Sequence, residues 1–150
     1  MMKQNLSAAI KVTRVSNAAA AATTDVESSA VDMQGFEGVM FLAMLGTITS
    51  GAVTSIKAQQ SSDNGVADAW SDLEGTAVTV ADDDDNQVFG LDIFKPLKRY
   101  VRCVVDRGTQ NAVVDGVVAM QYGARVAPTT QDATTVGAVE LHVSPDEGTA

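Results

Sequence analysis

Four consecutive aspartates, Asp82 to Asp85, form the densest group of potential metal ligands in the sequence. Hard cations such as Ca²⁺ bind several oxygen ligands from a flexible loop, so this run is the strongest candidate for a cation site. Adjacent side chains cannot all face one ion, however, and the alternating ligand spacing of an EF-hand loop does not occur here. The sequence therefore predicts a solvated acidic turn between two strands and no metal site.

The chain contains one histidine, His142, and one cysteine, Cys103. A Ser-His-Asp triad would need His142 as its general base, but its apolar neighbours are typical of an edge strand with the histidine at a polar position. Cys103 alternates with valines, so we expect a small buried hydrophobic side chain. One cysteine and one histidine do not make an ordinary structural zinc site. The sequence predicts no catalytic residues, no cofactor and no enzymatic activity.

Six of the ten cationic side chains fall between residues 95 and 125. They could pair with Asp92, Asp106 and Asp115 on neighbouring strands. Alternatively, the arginines form a contact surface for another subunit, because guanidinium groups are favoured at interfaces. The only tryptophan is an anchor of the rim or core, or else a platform for carbohydrate stacking. The predicted interface residues are Trp70, Arg99, Arg102, Arg107 and Arg125, with Lys95 and Lys98 nearby.

Composition limits the class of protein. A chain of 150 residues with 45% hydrophobic residues is long enough for one domain with an ordinary core, built mainly from aliphatic side chains because only 5% are aromatic. The net charge of −9 argues against a nucleic-acid partner. No apolar run reaches membrane-spanning length, so we expect no membrane partner. The N-terminus lacks a signal-peptide core and a lone cysteine fits a reducing compartment, which predicts synthesis in the cytoplasm.

Apolar residues recur with a period of two, which predicts about eight short strands. Ile10 and Val12 indicate the first strand, and residues 52–60 alternate as a half-buried strand. The run 39–45 is apolar on both faces, which is typical of a central strand covered on both sides. A helix is the alternative, but Gly38 and Gly46 bound the run and favour the strand. The alanine run 18–22 is interpreted as a loop or a single helical turn. Residues 26–33 are expected to form one weak strand.

The segment 98–122 is the best-defined element and predicts two long strands joined by a turn at residues 107–111. Val101, Cys103 and Val105 are expected to face inward. In the second strand the inward face is predicted to hold Ala112, Val114, Val118, Met120 and Tyr122. Gly116 shares that face and favours a bulge or a close contact.

The tail from residue 127 onward is rich in Thr, Pro, Asp and Gly, and only residues 136–143 could form a strand there. The predicted fold class is therefore all-β: an antiparallel β-sandwich or jelly roll with extended N- and C-terminal arms. We expect one domain over residues 1–150, with a core at about 8–126, a flexible N-terminal arm and a flexible C-terminal tail, 127–150. Periodicity does not distinguish a sandwich from a jelly roll.

Three segments carry a resemblance to a known class of proteins: QQSSDNGVADAWSDLEGTAVTV, KRYVRCVVDRGTQNAVVDGVVAMQYGAR and PTTQDATTV. Their order of strands, turns, Trp-Asp pair and Thr-rich tail resembles small β-sandwich structural proteins of tailed bacteriophages. The resemblance covers most of residues 8–145 and consists of strand and turn patterns. It implies a non-enzymatic component of the virion.

Within that class, the resemblance implies a capsid decoration or cement protein. Such a protein would bridge and stabilise subunits of the major capsid protein, associate with itself as a homotrimer, and lie on the capsid surface of the virion after synthesis in the host cytoplasm. Two alternatives stay open: a head–tail connector or tail-terminator component, and a carbohydrate-binding adsorption module that uses Trp70.

Overall fold

The computed structural model describes residues 5–149 of the chain, which contain one four-residue helix and eleven strands. The elements are α1 (Leu6–Ala9), β1 (Lys11–Ser16), β2 (Ala19–Ala22), β3 (Val26–Glu27), β4 (Val31–Asp32), β5 (Gly38–Ile48), β6 (Val53–Ser61), β7 (Ser71–Asp72), β8 (Val78–Val80), β9 (Val88–Phe94), β10 (Tyr100–Thr109) and β11 (Ala112–Tyr122). No helix among these residues has the length and apolar character needed to cross a membrane.

The strands form two antiparallel sheets that pack face to face. Sheet A has the order β1-β11-β5-β9, with β2 also paired to β11; sheet B has the order β3-β10-β6-β7, with β4 on β10 and β8 on β6. The pairings are nested along the chain: β1 with β11, β3 and β4 with β10, β5 with β9, and β6 with β7 and β8. This nesting is the strand order of a jelly roll. The predicted all-β sandwich class is confirmed.

The core lies between the two sheets and consists mainly of aliphatic side chains. Among residues 5–149, Phe41 is the one large aromatic side chain that is completely buried. Val39, Ala43 and Leu45 lie on the same inner face of β5, and Val101, Cys103 and Val105 oppose them from β10. The inward residues predicted for β10 are therefore confirmed. These alternating positions bury one face of each sheet, which is the main source of stability in a two-layer β protein.

Two local predictions are wrong because tertiary pairing decided the backbone conformation. Residues 19–22 form strand β2, not a helical turn, since Ala19 and Ala22 pair with Val114 and Ala112 of β11. Residues 26–33 do not form the predicted single weak strand. They contain two separate two-residue strands, β3 and β4, which pair with different parts of β10. In both places a neighbouring strand outweighs the weak local propensity.

The bulge predicted at Gly116 is present and has a consequence that the sequence pattern missed. Leu45 of β5 pairs with Val114 of β11, and Met44, which precedes Leu45, pairs with Gly116. Asp115 of β11 is therefore an extra residue without a partner in β5. Gly116 has φ of 147°. Because Asp115 is an extra residue, the side chains that follow it in β11 point to the opposite face from the one that simple alternation gives. The prediction that Val118, Met120 and Tyr122 face inward is therefore wrong. The inner face of that half of β11 holds Val117, Ala119 and the buried amide Gln121.

The first part of the C-terminal tail is docked along the outer edge of β1. The Val12 amide donates to Gln131 Oε1 at 2.8 Å, and the Arg14 amide donates to Thr135 Oγ1 at 3.3 Å. Thr129 Oγ1 and Gln131 Nε2 both donate to the Ile10 carbonyl, at 2.6 and 2.8 Å. The tail thus satisfies an exposed strand edge with side chains.

The rest of the tail is irregular. Residues 136–143 do not form the strand that their pattern predicts, and no regular structure follows them up to residue 149. At the other end of the chain, the predicted N-terminal arm falls in part on residues 1–4, which lie outside the described residues.

Candidate interaction surfaces

Two of the predicted interface residues, Arg102 and Trp70, meet on the outer face of sheet B. The Arg102 guanidinium lies 4.6 Å from the centroid of the Trp70 ring. Its two terminal nitrogens donate to both carboxylate oxygens of Glu27 at 2.8 and 2.9 Å, and its Nε donates to Gln59 Oε1 at 2.8 Å. The arginine is therefore held by a planar two-bond ion pair and by an aromatic ring at once.

This contact extends into a network of charges. Gln59 Nε2 and Lys57 Nζ donate to the two oxygens of Asp72 at 2.7 and 2.9 Å. The hydrogen bond from Lys57 lowers the pKa of the Asp72 carboxyl, and the same bond raises the pKa of the Lys57 ammonium. The outer face of sheet B thus already satisfies much of its own charge within one chain.

The environment of Trp70 limits its use as a binding platform. Its indole lies against Gly65, where a Cβ atom would come within 2.4 Å of Nε1. Arg102 covers one face of the ring, and the tryptophan is half-buried. The loop that carries Trp70 is closed by Asp63, whose carboxylate accepts from the amides of residues 66–68. A sugar that stacks on this ring would have to displace Arg102 or use the opposite face.

Arg99 lies on the same side of the molecule but belongs to a separate ion pair. It donates two hydrogen bonds to Asp32, at 2.9 and 2.7 Å, and its guanidinium lies 5.2 Å from the Tyr100 ring centroid. These bonds lower the pKa of the Asp32 carboxyl and raise the pKa of the guanidinium. The predicted pairing of the arginines with Asp92, Asp106 and Asp115 is wrong. Arg99 pairs with Asp32 and Arg102 with Glu27, which lie on strands β4 and β3.

Arg107 does not belong to an exposed contact face, and its inclusion among the interface residues is a prediction that the structure corrects. The side chain is 3% exposed. Nε donates to the Thr24 carbonyl at 2.6 Å, and one terminal nitrogen donates to the carbonyls of Ala20 and Ala112 at 2.8 and 2.7 Å. The guanidinium ties β2 and its following turn to the end of β11. Burial lowers the pKa of this group from its usual value.

Arg125 lies in a different place from Trp70 and Arg102. It is exposed and borders an open depression of about 590 Å³ together with Lys95, Lys98 and Arg99. Lys98 is bound to Asp68 by two contacts of 2.9 and 2.7 Å. The predicted arginine surface is thus divided into an ion-paired face on sheet B and a basic depression at one end of the sandwich.

The residues considered for chemistry do not converge. Asp82, Asp84 and Asp85 accept hydrogen bonds from the amides of Gly51, Ala81 and Ile48, at 2.6, 3.0 and 2.6 Å. Their carboxylates close turns and point to separate backbone groups. Among residues 5–149 no group of three or more Asp, Glu, His or Cys side chains is arranged to hold a metal ion.

His142 and Cys103 are also far from forming a reactive pair. His142 is exposed in the tail, 3.2 Å from Glu140. Cys103 is completely buried in β10, as its alternation with valines predicts. Burial raises the pKa of its thiol to about 12, which keeps it in the unreactive protonated form.

The outer face of sheet A is the surface that sequence reasoning missed. Cross-strand rows place Val12, Met120 and Met40 side by side, and the next rows place Val118 beside Leu42 and Gly116 beside Met44. All of these apolar side chains are half-buried, although they lie on the side of the sheet away from the core. The prediction that β5 is covered on both sides is wrong, since its outward side chains Met40, Leu42 and Met44 are only half-buried.

Aromatic residues border this apolar face. The rings of Tyr122 and Phe94 are stacked, with centroids 6.5 Å apart and an interplanar angle of 3°. The Tyr122 ring lies over Gly38, where a Cβ would be 2.3 Å from it, and its hydroxyl donates to Asp92 at 2.7 Å. Burial is the largest cause that raises the pKa of this tyrosine, to about 12. Near the other side lies an apolar groove of about 510 Å³, which includes Leu6, Val12, Met120 and Leu141.

Methionines give this face an adaptable surface. Met40 extends over Gly90 of β9, where an added Cβ would come within 2.8 Å of the methionine methyl group. Unbranched thioether side chains fill irregular contacts and are common at binding surfaces. A contiguous apolar sheet face in a protein of net charge −9 is the typical mark of a protein–protein contact. The signal in the sequence was the run 39–45, apolar at consecutive positions.

Comparison with known proteins supports the fold. No known protein family matches the sequence, and no curated protein matches it. Among solved structures, the chain is similar to the crystal structure of PBSX exported protein XepA, with a TM-score of 0.50 and 19% sequence identity. The similarity covers 95% of this chain and 46% of that protein, so the chain spans about half the length of its structural neighbour. At this identity the likeness is one of fold.

Proposed function

We propose that this protein is a non-enzymatic structural component of a bacteriophage virion and acts as a capsid decoration or cement protein. The observation that carries the proposal is the contiguous, half-buried apolar outer face of sheet A on an otherwise acidic jelly roll. The fold likeness to PBSX exported protein XepA extends over 95% of this chain and agrees with the β-sandwich fold of the proposed class. The ion-paired outer face of sheet B, by contrast, satisfies its charges without a partner.

In the proposed role, the apolar face of sheet A contacts the major capsid protein, and each copy bridges neighbouring capsid subunits. A bridging protein stabilises the assembled shell because it binds the lattice better than it binds free subunits. A standard interface buries about 1,600 Å² in total, so many copies together add a large resistance to internal pressure. We further propose that the protein is a homotrimer on the capsid surface and needs no cofactor.

The first test is the copy number of the chain in purified particles, measured by quantitative mass spectrometry against the major capsid protein. A ratio near one chain per capsid subunit supports a shell-wide decoration role. A handful of copies per particle moves the protein to the head–tail connector or tail terminator. Absence from the particles contradicts the virion role.

A pair of variants tests the contact surface. Leu42→Asp places a charge in the centre of the apolar face of sheet A, and Thr79→Asp places the same charge on an exposed position of sheet B. We expect Leu42→Asp to lower binding to undecorated particles at least tenfold and Thr79→Asp to leave it unchanged, once circular dichroism shows both variants folded. Equal binding by both variants would reject this face as the contact.

The other functional classes have direct tests. Loss of glycan binding on Trp70→Ala would support a carbohydrate-binding adsorption module instead. A hydrolase activity that is abolished by His142→Ala would overturn the non-enzymatic assignment.

A further inference from the structure

Strand β9 is an open edge of sheet A. Within the described residues it pairs with β5 alone. The Leu45 amide donates to the Gln87 carbonyl at 3.0 Å and the Lys95 amide donates to the Glu37 carbonyl at 2.7 Å, so residues 87 and 95 face β5. In an antiparallel ladder the backbone N–H and C=O groups of successive residues point alternately toward and away from the partner strand, so the even-numbered residues of β9 face away from β5. The outward peptide groups belong to Val88, Gly90, Asp92 and Phe94.

The two edges of sheet A therefore differ. At β1 the tail closes the edge through Gln131 and Thr135, whose side chains accept from the strand's amides. At β9 no such closure exists in the part of the chain that the structure describes. Strand β9 is seven residues long, and its first and last residues, Val88 and Phe94, are exposed. Such an open edge is a template for an added strand.

The C-terminal segment 137–143 has the sequence of a strand but lacks a partner strand. Val139, Leu141 and Val143 alternate with Glu140 and His142, and the three apolar side chains are 43%, 59% and 90% exposed. Among residues 5–149 the segment makes no backbone hydrogen bond. A single strand is not stable without a ladder, so its pattern is realised only beside another strand.

The segment cannot add to β9 of its own chain. Thr135 is fixed at the outer edge of β1, and β11 and β5 lie between β1 and β9. Neighbouring strands are about 4.8 Å apart, so the distance from Thr135, outside β1, to a strand added outside β9 is roughly 20–24 Å. An extended chain covers about 3.4 Å per residue, so roughly six or seven residues would be used in crossing the sheet. Only one or two residues of the segment would be left, which is too few to pair as a strand.

We propose that residues 137–143 of one copy add as a strand to the open β9 edge of a second copy. The apolar side of the added strand covers Phe89 and Ile93, which face the interlayer space but are only half-buried at this edge. Donor segment and acceptor edge lie on opposite sides of the sheet, so the contact is head-to-tail and builds either a closed ring or an open chain of copies. The inference rests on the self-association in the proposed function and names the surface that produces it.

Cross-linking between separately prepared chains tests the proposal. Chains carrying Val88→Cys are mixed with differently tagged chains carrying Val139→Cys or Val143→Cys, and a short bismaleimide is added to the isolated protein. We expect a cross-linked product containing one chain of each kind in one of the two mixtures, and which mixture reacts reports the strand direction. Val66→Cys, exposed on a loop of the other sheet, is the matched control, and the buried Cys103 stays unmodified.

Absence of the mixed product, or a yield no higher than that of the Val66→Cys control, would overturn the proposal. So would an intramolecular cross-link in a Val88→Cys/Val143→Cys double variant. As a second measurement, Leu141→Asp is expected to shift the sedimenting species to the monomer, whereas Glu140→Gln is not. Since these experiments use the isolated protein, their failure leaves the particle copy number, and with it the virion role, independently testable.

Discussion

The guanidinium of Arg102 lies over the ring of Trp70 at 4.6 Å, while the same guanidinium forms two hydrogen bonds with Glu27. Trp70 belongs to a loop after β6, and Arg102 to the middle of β10, so the contact ties a loop to the centre of sheet B. We expect a cation–π coupling of about 0.5–1 kcal/mol between them. A double-mutant cycle with Trp70→Leu and Arg102→Met in urea unfolding measures it; strict additivity would show that the stacking is energetically neutral.

Arg107 is expected to be essential for stability rather than for binding. Arg107→Ala leaves the carbonyls of Ala20, Thr24 and Ala112 without their donor in a buried place, which we expect to cost roughly 3 kcal/mol. Urea unfolding monitored by circular dichroism measures the loss. Arg99→Ala is the control, because its ion pair with Asp32 is exposed and its loss should lower the free energy of unfolding much less. Similar losses for both variants would contradict the structural role of Arg107.

Gly116 is expected to tolerate no side chain. Its φ of 147° is unfavourable for other residues, and an added Cβ would lie 3.2 Å from the Ser16 carbonyl oxygen. Gly116→Ala should therefore destabilise the protein by about 1–3 kcal/mol. Gly137→Ala is the matched control, since no atom lies within 4 Å of its Cβ position. If thermal unfolding shows the two variants equally stable, the bulge does not depend on the glycine.

Asp68 and Lys98 predict an acid-dependent contribution to stability. Lys98 is the main cause that lowers the pKa of Asp68 to about 2, below its value of about 3.9 in an unfolded chain. The contribution is therefore present above pH 4 and is lost as the pH falls towards 2. We expect Lys98→Met to be less stable than the parent protein at pH 6 and to approach it at pH 2. A difference that stays constant over this range would exclude the ion pair as its cause.

Cys103 is expected to be inert in the folded protein. At pH 8 a thiol whose pKa is about 12 is almost entirely protonated, and the side chain is completely buried. Reaction with a chromogenic disulfide reagent should be undetectable in buffer and complete in denaturing urea. Rapid modification without denaturant would show that β10 opens locally.

The strand positions could be predicted because their signal is local. Alternation of apolar and polar residues identified β1, β6 and β10, and consecutive apolar residues identified β5, since a period of two is a property of each strand by itself. The buried Cys103 and the acidic turn at residues 82–86 followed from the same local pattern. The charge balance was likewise readable without coordinates, whereas its distribution over the two faces was not.

The arrangement of these strands was decided by tertiary structure. Asp115 adds one residue to β11 and turns Met120 outward and Gln121 inward, which no periodicity reveals because the phase depends on the partner strand. Arg107 reads as another exposed arginine until three carbonyls from distant elements surround it. Five consecutive alanines favour a helix locally, yet β11 draws them into a strand. The second apolar face of β5 could be read from the sequence, but only the packing of the two sheets shows that this face points away from the core and stays half-buried. Burial is a property of the assembled layers and not of a residue's type.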